Sequence, residues 1–186
     1  MAIKTFTTGE VLTAADTNTY LANAGLDYVT SVAGPSPAAA TITIAGAFNS
    51  TYDNYRVVIS GMTCSAANGD VRVKFENVLS TYNWAGTYQA FTTPATISGT
   101  GANATSVGIT FAASETASNF QASFDVLNPN KATATVVVGT HANVGYRVTY
   151  SGIMTTATAY TTLIFTQSGA NTFSGGTIAI YGYRKA

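Results

Sequence analysis

The chain has 186 residues, eight basic and eight acidic, and a formal net charge of zero. One cysteine and one histidine exclude an internal disulfide, a four-cysteine metal site and a paired-histidine acid–base centre within one chain, and the balanced charge offers no basic excess to displace counterions from nucleic acid. Charged residues make up only 9%, against about 25% in an ordinary soluble domain, whereas 46% are hydrophobic and 11% aromatic; this is a folding chain with a weakly charged surface, of the kind that associates.

In chain order, residues 1–12 read as extended, with Ile3 and Phe6 as apolar points and no apolar h-region of the usual signal-peptide kind. Thr13, followed three residues later by Asp16, is a capping-box-like start, and Asp16 places negative charge in the first turn. The helix this predicts runs over residues 14–24 and stops at Gly25. Thr17, Tyr20, Leu21 and Ala24 form its narrow apolar stripe. About eleven residues are marginal alone, so the stripe needs its own domain or a partner to pack on. Gly34-Pro35-Ser36-Pro37 is the linker expected between an N-terminal segment, residues 1–33, and a main domain, residues 38–186.

After Pro37 the pattern is strand after strand. Ile42 and Ile44 alternate with threonines; Val57, Val58 and Ile59 form a continuous run; Val71, Val73 and Phe75 oppose Arg72, Lys74 and Glu76; Phe120, Ala122, Phe124 and Val126 share a face. Further strands are predicted over residues 106–111, 133–138, 145–150, 160–166 and 177–183. Turn residues separate them at Asn68-Gly69-Asp70, Asn128-Pro129-Asn130 and Ser174-Gly175-Gly176. Nine or ten short strands without helix alternation predict an all-β fold, an antiparallel β-sandwich or jelly roll, preceded by the short extended segment and helix. No fixed-period repeat points to a solenoid or propeller, and no apolar run approaches the ~18 residues of a membrane span. Glycines such as those of Ser98-Gly99-Thr100-Gly101 are expected in loops.

No catalytic motif surrounds a serine, and Cys64 reads as a small buried hydrophobe rather than a nucleophile served by His141. Asp16 reads as part of the cap, Asp53 and Asp70 as turn residues and Glu76 as a solvent-face residue; Glu115 and Asp125 lack a ready structural role and are the pair on which a glycan-cleaving reading would rest. No calcium, dinucleotide or phosphate motif is present, so no cofactor or metal is expected. Tyr82, Asn83, Trp84 and Tyr88 form the one aromatic and amide segment suited to a sugar contact. The reading preferred over a sugar contact is that Trp84 fills the core, with the tyrosines as ordinary strand residues.

The stretch Phe6-Thr7-Thr8-Gly9-Glu10-Val11-Leu12-Thr13-Ala14-Ala15-Asp16-Thr17-Asn18-Thr19-Tyr20-Leu21 resembles a segment that opens many tail and tail-fibre proteins of tailed bacteriophages, roughly F-x-x-G-E-V-L-T-A-x-D-x-N-x-Y-L. Tyr52-Asp53-Asn54-Tyr55-Arg56-Val57-Val58-Ile59 and the closing residues 176–184 resemble strands of small phage virion β domains. The resemblance implies a non-enzymatic virion structural protein, made in the host cytoplasm and often homotrimeric. Residues 1–33 would attach to other virion proteins, and Phe6, Leu12, Thr17, Tyr20, Leu21 and Ala24 would face the oligomer or the particle. The β domain would face outward, toward host surface glycan in a short tail fibre. Without a shaft repeat, the same parts would also suit a capsid decoration or head-fibre protein.

Overall fold

A computed structural model describes residues 7–11, 13–16, 25–65, 70–76, 78–93, 96–110, 120–142, 145–168 and 171–184. Residues 7–10 form a turn that the sequence dictates: Glu10 N donates to Thr7 O at 3.0 Å, Gly9 takes φ +87°, and the Glu10 carboxylate accepts from Thr7 N at 3.2 Å. A positive φ at the third position is what a type II turn requires, and glycine supplies it without steric cost. Of the helix expected over 14–24, only the turn Ala14–Asp16 lies among the described residues. Phe6, Leu12, Thr17, Tyr20, Leu21 and Ala24 all lie outside them. Gly25 is left-handed at φ +101°, and β structure begins at the next residue.

The described body is β throughout: β1 (Leu26–Ala33), β2 (Thr41–Ile44), β3 (Asn54–Cys64), β4 (Val71–Phe75), β5 (Tyr82–Ala90), β6 (Thr96–Ala104), β7 (Val107–Gly108), β8 (Phe120–Leu127), β9 (Thr135–Ala142), β10 (Tyr146–Met154), β11 (Leu163–Gln167), β12 (Phe173–Ser174) and β13 (Thr177–Tyr183). Every pairing is antiparallel. A large sheet runs β1-β13-β3-β8-β9-β10-β5-β6, with β12 attached to β3; a small sheet runs β2-β11-β4-β7. The alternation read from the sequence sets which faces turn inward. Ile42, Ile44, Val57, Ile59, Val71, Val73, Phe75, Ala122, Phe124 and Val126 are all buried. Side chains from both sheets join in one apolar cluster. Phe124 of β8 meets Phe165 of β11 at 6.2 Å between ring centroids, and Phe75 of β4 stacks near Tyr82 of β5 at 6.3 Å. Burying a large side chain of this kind contributes roughly 1.5–3 kcal/mol.

Three expectations need correction. Residues 26–33 are a strand of the large sheet, in register with β13 from Leu26↔Tyr183 to Ala33↔Thr177, so the expected boundary at 34–37 falls inside the folded body. That passage packs tightly: Gly34 N donates to Gly176 O at 2.9 Å, and a Cβ on Gly34 would collide with the Gly175 carbonyl. Second, Ser98-Gly99-Thr100-Gly101 is the middle of β6, not a loop. Third, the strand expected over 106–111 shortens to Val107–Gly108 among the described residues. Cys64 is buried as expected.

Candidate functional site: an uncharged trough on the large sheet

The inward faces of β5, β6, β9 and β10 explain the glycines of this region. Tyr150 is flanked in register by Gly139 and Gly86, and Trp84 by Gly152 and Gly101. A Cβ on Gly101 would strike the Trp84 indole; one on Gly152 would press on Val107 at 2.7 Å and on Trp84 at 3.1 Å. The Trp84 ring occupies the space that Gly101 and Gly108 leave open, an arrangement that restores packing to glycine-containing sheet positions.

The four aromatic and amide residues singled out in the sequence do not form one patch. Tyr82 is fully buried, and its hydroxyl accepts from Phe75 N at 2.8 Å. Trp84 is half-buried and packs against the core. Tyr88 lies on the same inward face, tilted against Tyr146 at 4.7 Å. Asn83 points to the other face, where its Oδ1 accepts from Asn103 N at 3.0 Å. Alternation along one strand separates neighbours to opposite faces.

The outward face carries the feature that the sequence did not disclose. In register across β8, β9, β10, β5 and β6 lie Ser123, Thr140, Thr149, Thr87 and Ser98. One row along lie Val138, Ser151, Ala85 and Thr100. Strands about 4.8 Å apart make each row a ladder of short side chains. Longer side chains border them: Gln121, Arg147 and Gln89 on one side, Leu127, Val136 and Ile153 on the other. Small residues between larger ones leave three open depressions of about 410, 540 and 570 Å³. The first two share Thr149, and the last two share Ala85, Thr100 and Ser151, so together they form a continuous trough.

Electrostatically the trough is almost blank. In β9, β10, β5 and β6 the one charged residue is Arg147, whose Nε donates to Gln89 Oε1 at 3.2 Å. At the far end Asp125 is committed elsewhere. Both its oxygens accept from Arg56 at 2.8 Å, and Tyr183 Oη donates to it at 2.7 Å. Burial opposes ionisation of Asp125, but the Arg56 and Tyr183 hydrogen bonds outweigh it and hold the carboxyl below its usual range. Of the two acids singled out, Asp125 is thus a structural ion-pair partner, and Glu115 lies outside the described residues. Cys64 pairs with Phe173 on β12, while His141 sits between Ala122 and Val148 on the buried face. Among the described residues no group of three metal-ligating side chains converges, and no helix is long and apolar enough to cross a membrane.

The trough offers hydroxyls that both donate and accept, beside short apolar side chains. Such a surface suits a neutral, polyhydroxylated, extended ligand, whose hydrogen bonds would each contribute about 1 kcal/mol. Tyr88 stands at the same end of the sheet but on the opposite face. The signal that could have located the trough was the run of outward Thr and Ser in five strands, and it needs the register to be read.

No family model matches this chain, and no curated protein or solved structure matches it.

Proposed function

We propose that this chain is a non-enzymatic structural protein of a tailed-phage virion, a short tail fibre or spike. On this reading residues 1–25 attach to the particle, the two sheets are the layers of a β-sandwich, and the large sheet faces the host. The observation that carries the host-contact reading is the hydroxyl-lined trough across β8, β9, β10, β5 and β6, in which Arg147 is the one charged lining residue. Its ligand would be a neutral surface polysaccharide lying along the rows of Ser and Thr. The match of residues 6–21 to the phage tail segment supports the virion assignment.

The test is adsorption. Purified protein should compete with phage particles for host cells, and Thr140→Ala/Thr149→Ala should weaken that competition about thirtyfold while leaving the melting temperature unchanged, each of the two lost hydrogen bonds contributing about 1 kcal/mol. Absence of any competition, together with antibody label over the head rather than the tail, would sink the attachment reading.

A further inference from the structure

Sheets end in edges, and an unpaired edge is a template for another chain unless something blunts it. The two sheets have four edges among the described residues. Two belong to β2 and β7, of four and two residues, too short to serve as templates. A third, β1, is interrupted by a register shift between Tyr28 and Thr30, carries Asp27 bonded to Arg184 at 2.8 Å, and runs into the prolines at 35 and 37. Bulge, charge and proline are the usual protections.

The fourth edge, β6, has none of these over most of its length. It is nine residues long, with neither charge nor proline, and it keeps unbroken register with β5 from Thr96 to Gly101 before the irregularity near Asn103, at φ +51°. No strand among the described residues pairs with its far side. The same border carries exposed apolar surface: Ile97 is 45% exposed and Phe91 59%.

We propose that β6 pairs antiparallel with β6 of a second copy of this chain about a twofold axis, joining the two large sheets into one. The strand is self-complementary for this. An isologous contact sets residue i against j and j against i. With the axis near Ser98 or Gly99, the inward Ile97 faces the partner's Gly99 or the partner's Gly101, a large side chain against a bare backbone. On the outward face an axis at Ser98 sets Ser98 against its counterpart and Thr96 against the partner's Thr100, and an axis at Gly99 sets Ser98 against the partner's Thr100; such hydroxyl pairs stabilise antiparallel strands. The added strand lies about 4.8 Å away and covers Ile97. The troughs of the two copies would then meet at the axis. This pairing is independent of what the trough binds, and it differs from the threefold arrangement that the tail-fibre resemblance implies.

The experiment is sedimentation equilibrium of the full chain over a wide concentration range, with two charged pairs of substitutions. Wild type should be a dimer, or an even multiple if residues 1–25 add a further contact. Ser98→Lys/Thr100→Lys alone, and Ser98→Glu/Thr100→Glu alone, should each halve the mass, because like charges across the axis weaken association about a hundredfold. Mixing the two variants should restore the wild-type mass, which also demonstrates that both are folded. Amide exchange in residues 96–100 should be slow in wild type and fast in either variant by itself. A wild-type monomer or simple trimer would overturn the pairing, as would an even oligomer whose mass the charges leave unchanged.

Discussion

One sheet is held together in two different ways. In the half built from β1, β13, β3 and β8, polar side chains bridge the strands. Arg56, Asp125 and Tyr183 link β3, β8 and β13; Asp27 on β1 receives Tyr52 at 3.1 Å and Arg184 at 2.8 Å. In the half built from β9, β10, β5 and β6 there is no ion pair among the described residues; inward aromatic residues stand in register with inward glycines instead, and the Trp84 ring packs on Gly101. The difference teaches why the trough is where it is. Bridges such as Arg56–Asp125 occupy the outward face of the first half. Ring-on-glycine packing does its stabilising on the inward face and leaves the outward face to short hydroxyl side chains.

The sharpest way to break that comparison is Trp84→Ala. It removes the ring that covers Gly101 and Gly108, so it should cost about 3 kcal/mol, the lower end for a buried aromatic because Trp84 is only half-buried. Denaturant titration measures this. A cost below that of any single ion pair in the other half would mean that the rings do not hold the uncharged strands. Gly152→Ala tests the same packing from the opposite side. Its new methyl would press on Val107 and Trp84, and such overpacking should cost about 2 kcal/mol. An unchanged denaturation midpoint would show that the core yields there.

These two halves also differ in how much could be read from the chain. Strands β2, β3, β4 and β8 announce themselves, because Ile42 and Ile44, or Val71, Val73 and Phe75, alternate with polar residues in a local window. Strands β5 and β6 do not. Their inward positions are Tyr82, Trp84, Gly86 and Tyr88, and Ile97, Gly99 and Gly101. A glycine at an inward position reads as a loop unless one knows which ring from the next strand covers it. That information is non-local and lies in the register. The same holds for the trough, whose Thr87 is distant in sequence from Thr140 and Thr149 but shares their row in the sheet. The segment 82–88 drew attention for its aromatic content, yet the pleat divides it between two faces. The acids tell the same story: Asp125 had no visible partner because Arg56 lies 69 residues away.

In the bridged half, Asp125→Asn should cost about 1 kcal/mol at neutral pH, a modest figure because the Arg56 side chain is 39% exposed and solvent screens the pair. The carboxyl ionises more readily in the folded chain than at its ordinary 3.8. Its contribution is therefore present above that value and disappears as pH falls through the lower, folded one. The wild-type advantage over the Asn variant should shrink in that acid window and stay constant above it. A difference that persisted unchanged down to full protonation would deny the ion pair its role.

The smallest effect belongs to the uncharged half and has the opposite sign. The Tyr150 hydroxyl is buried with no hydrogen-bond partner, between Gly139 and Gly86. An unsatisfied buried hydroxyl is destabilising, so Tyr150→Phe, which keeps the buried ring, should gain about 0.5 kcal/mol. Burial alone pushes this phenol well above its ordinary 10.0. Because the folded value is raised, the stability linked to it is complete below 10.0 and is lost as pH rises, since only the unfolded chain ionises there. The gain from Tyr150→Phe should thus be small at neutral pH and grow above pH 10, seen as a shallower decline in denaturation midpoint. The other raised tyrosines, Tyr82 at about 12 among them, will still decline in both proteins, so the difference between the two curves isolates Tyr150. If the variant is less stable at every pH, the hydroxyl has a partner in solution, and the uncharged half is held by more than rings on glycines.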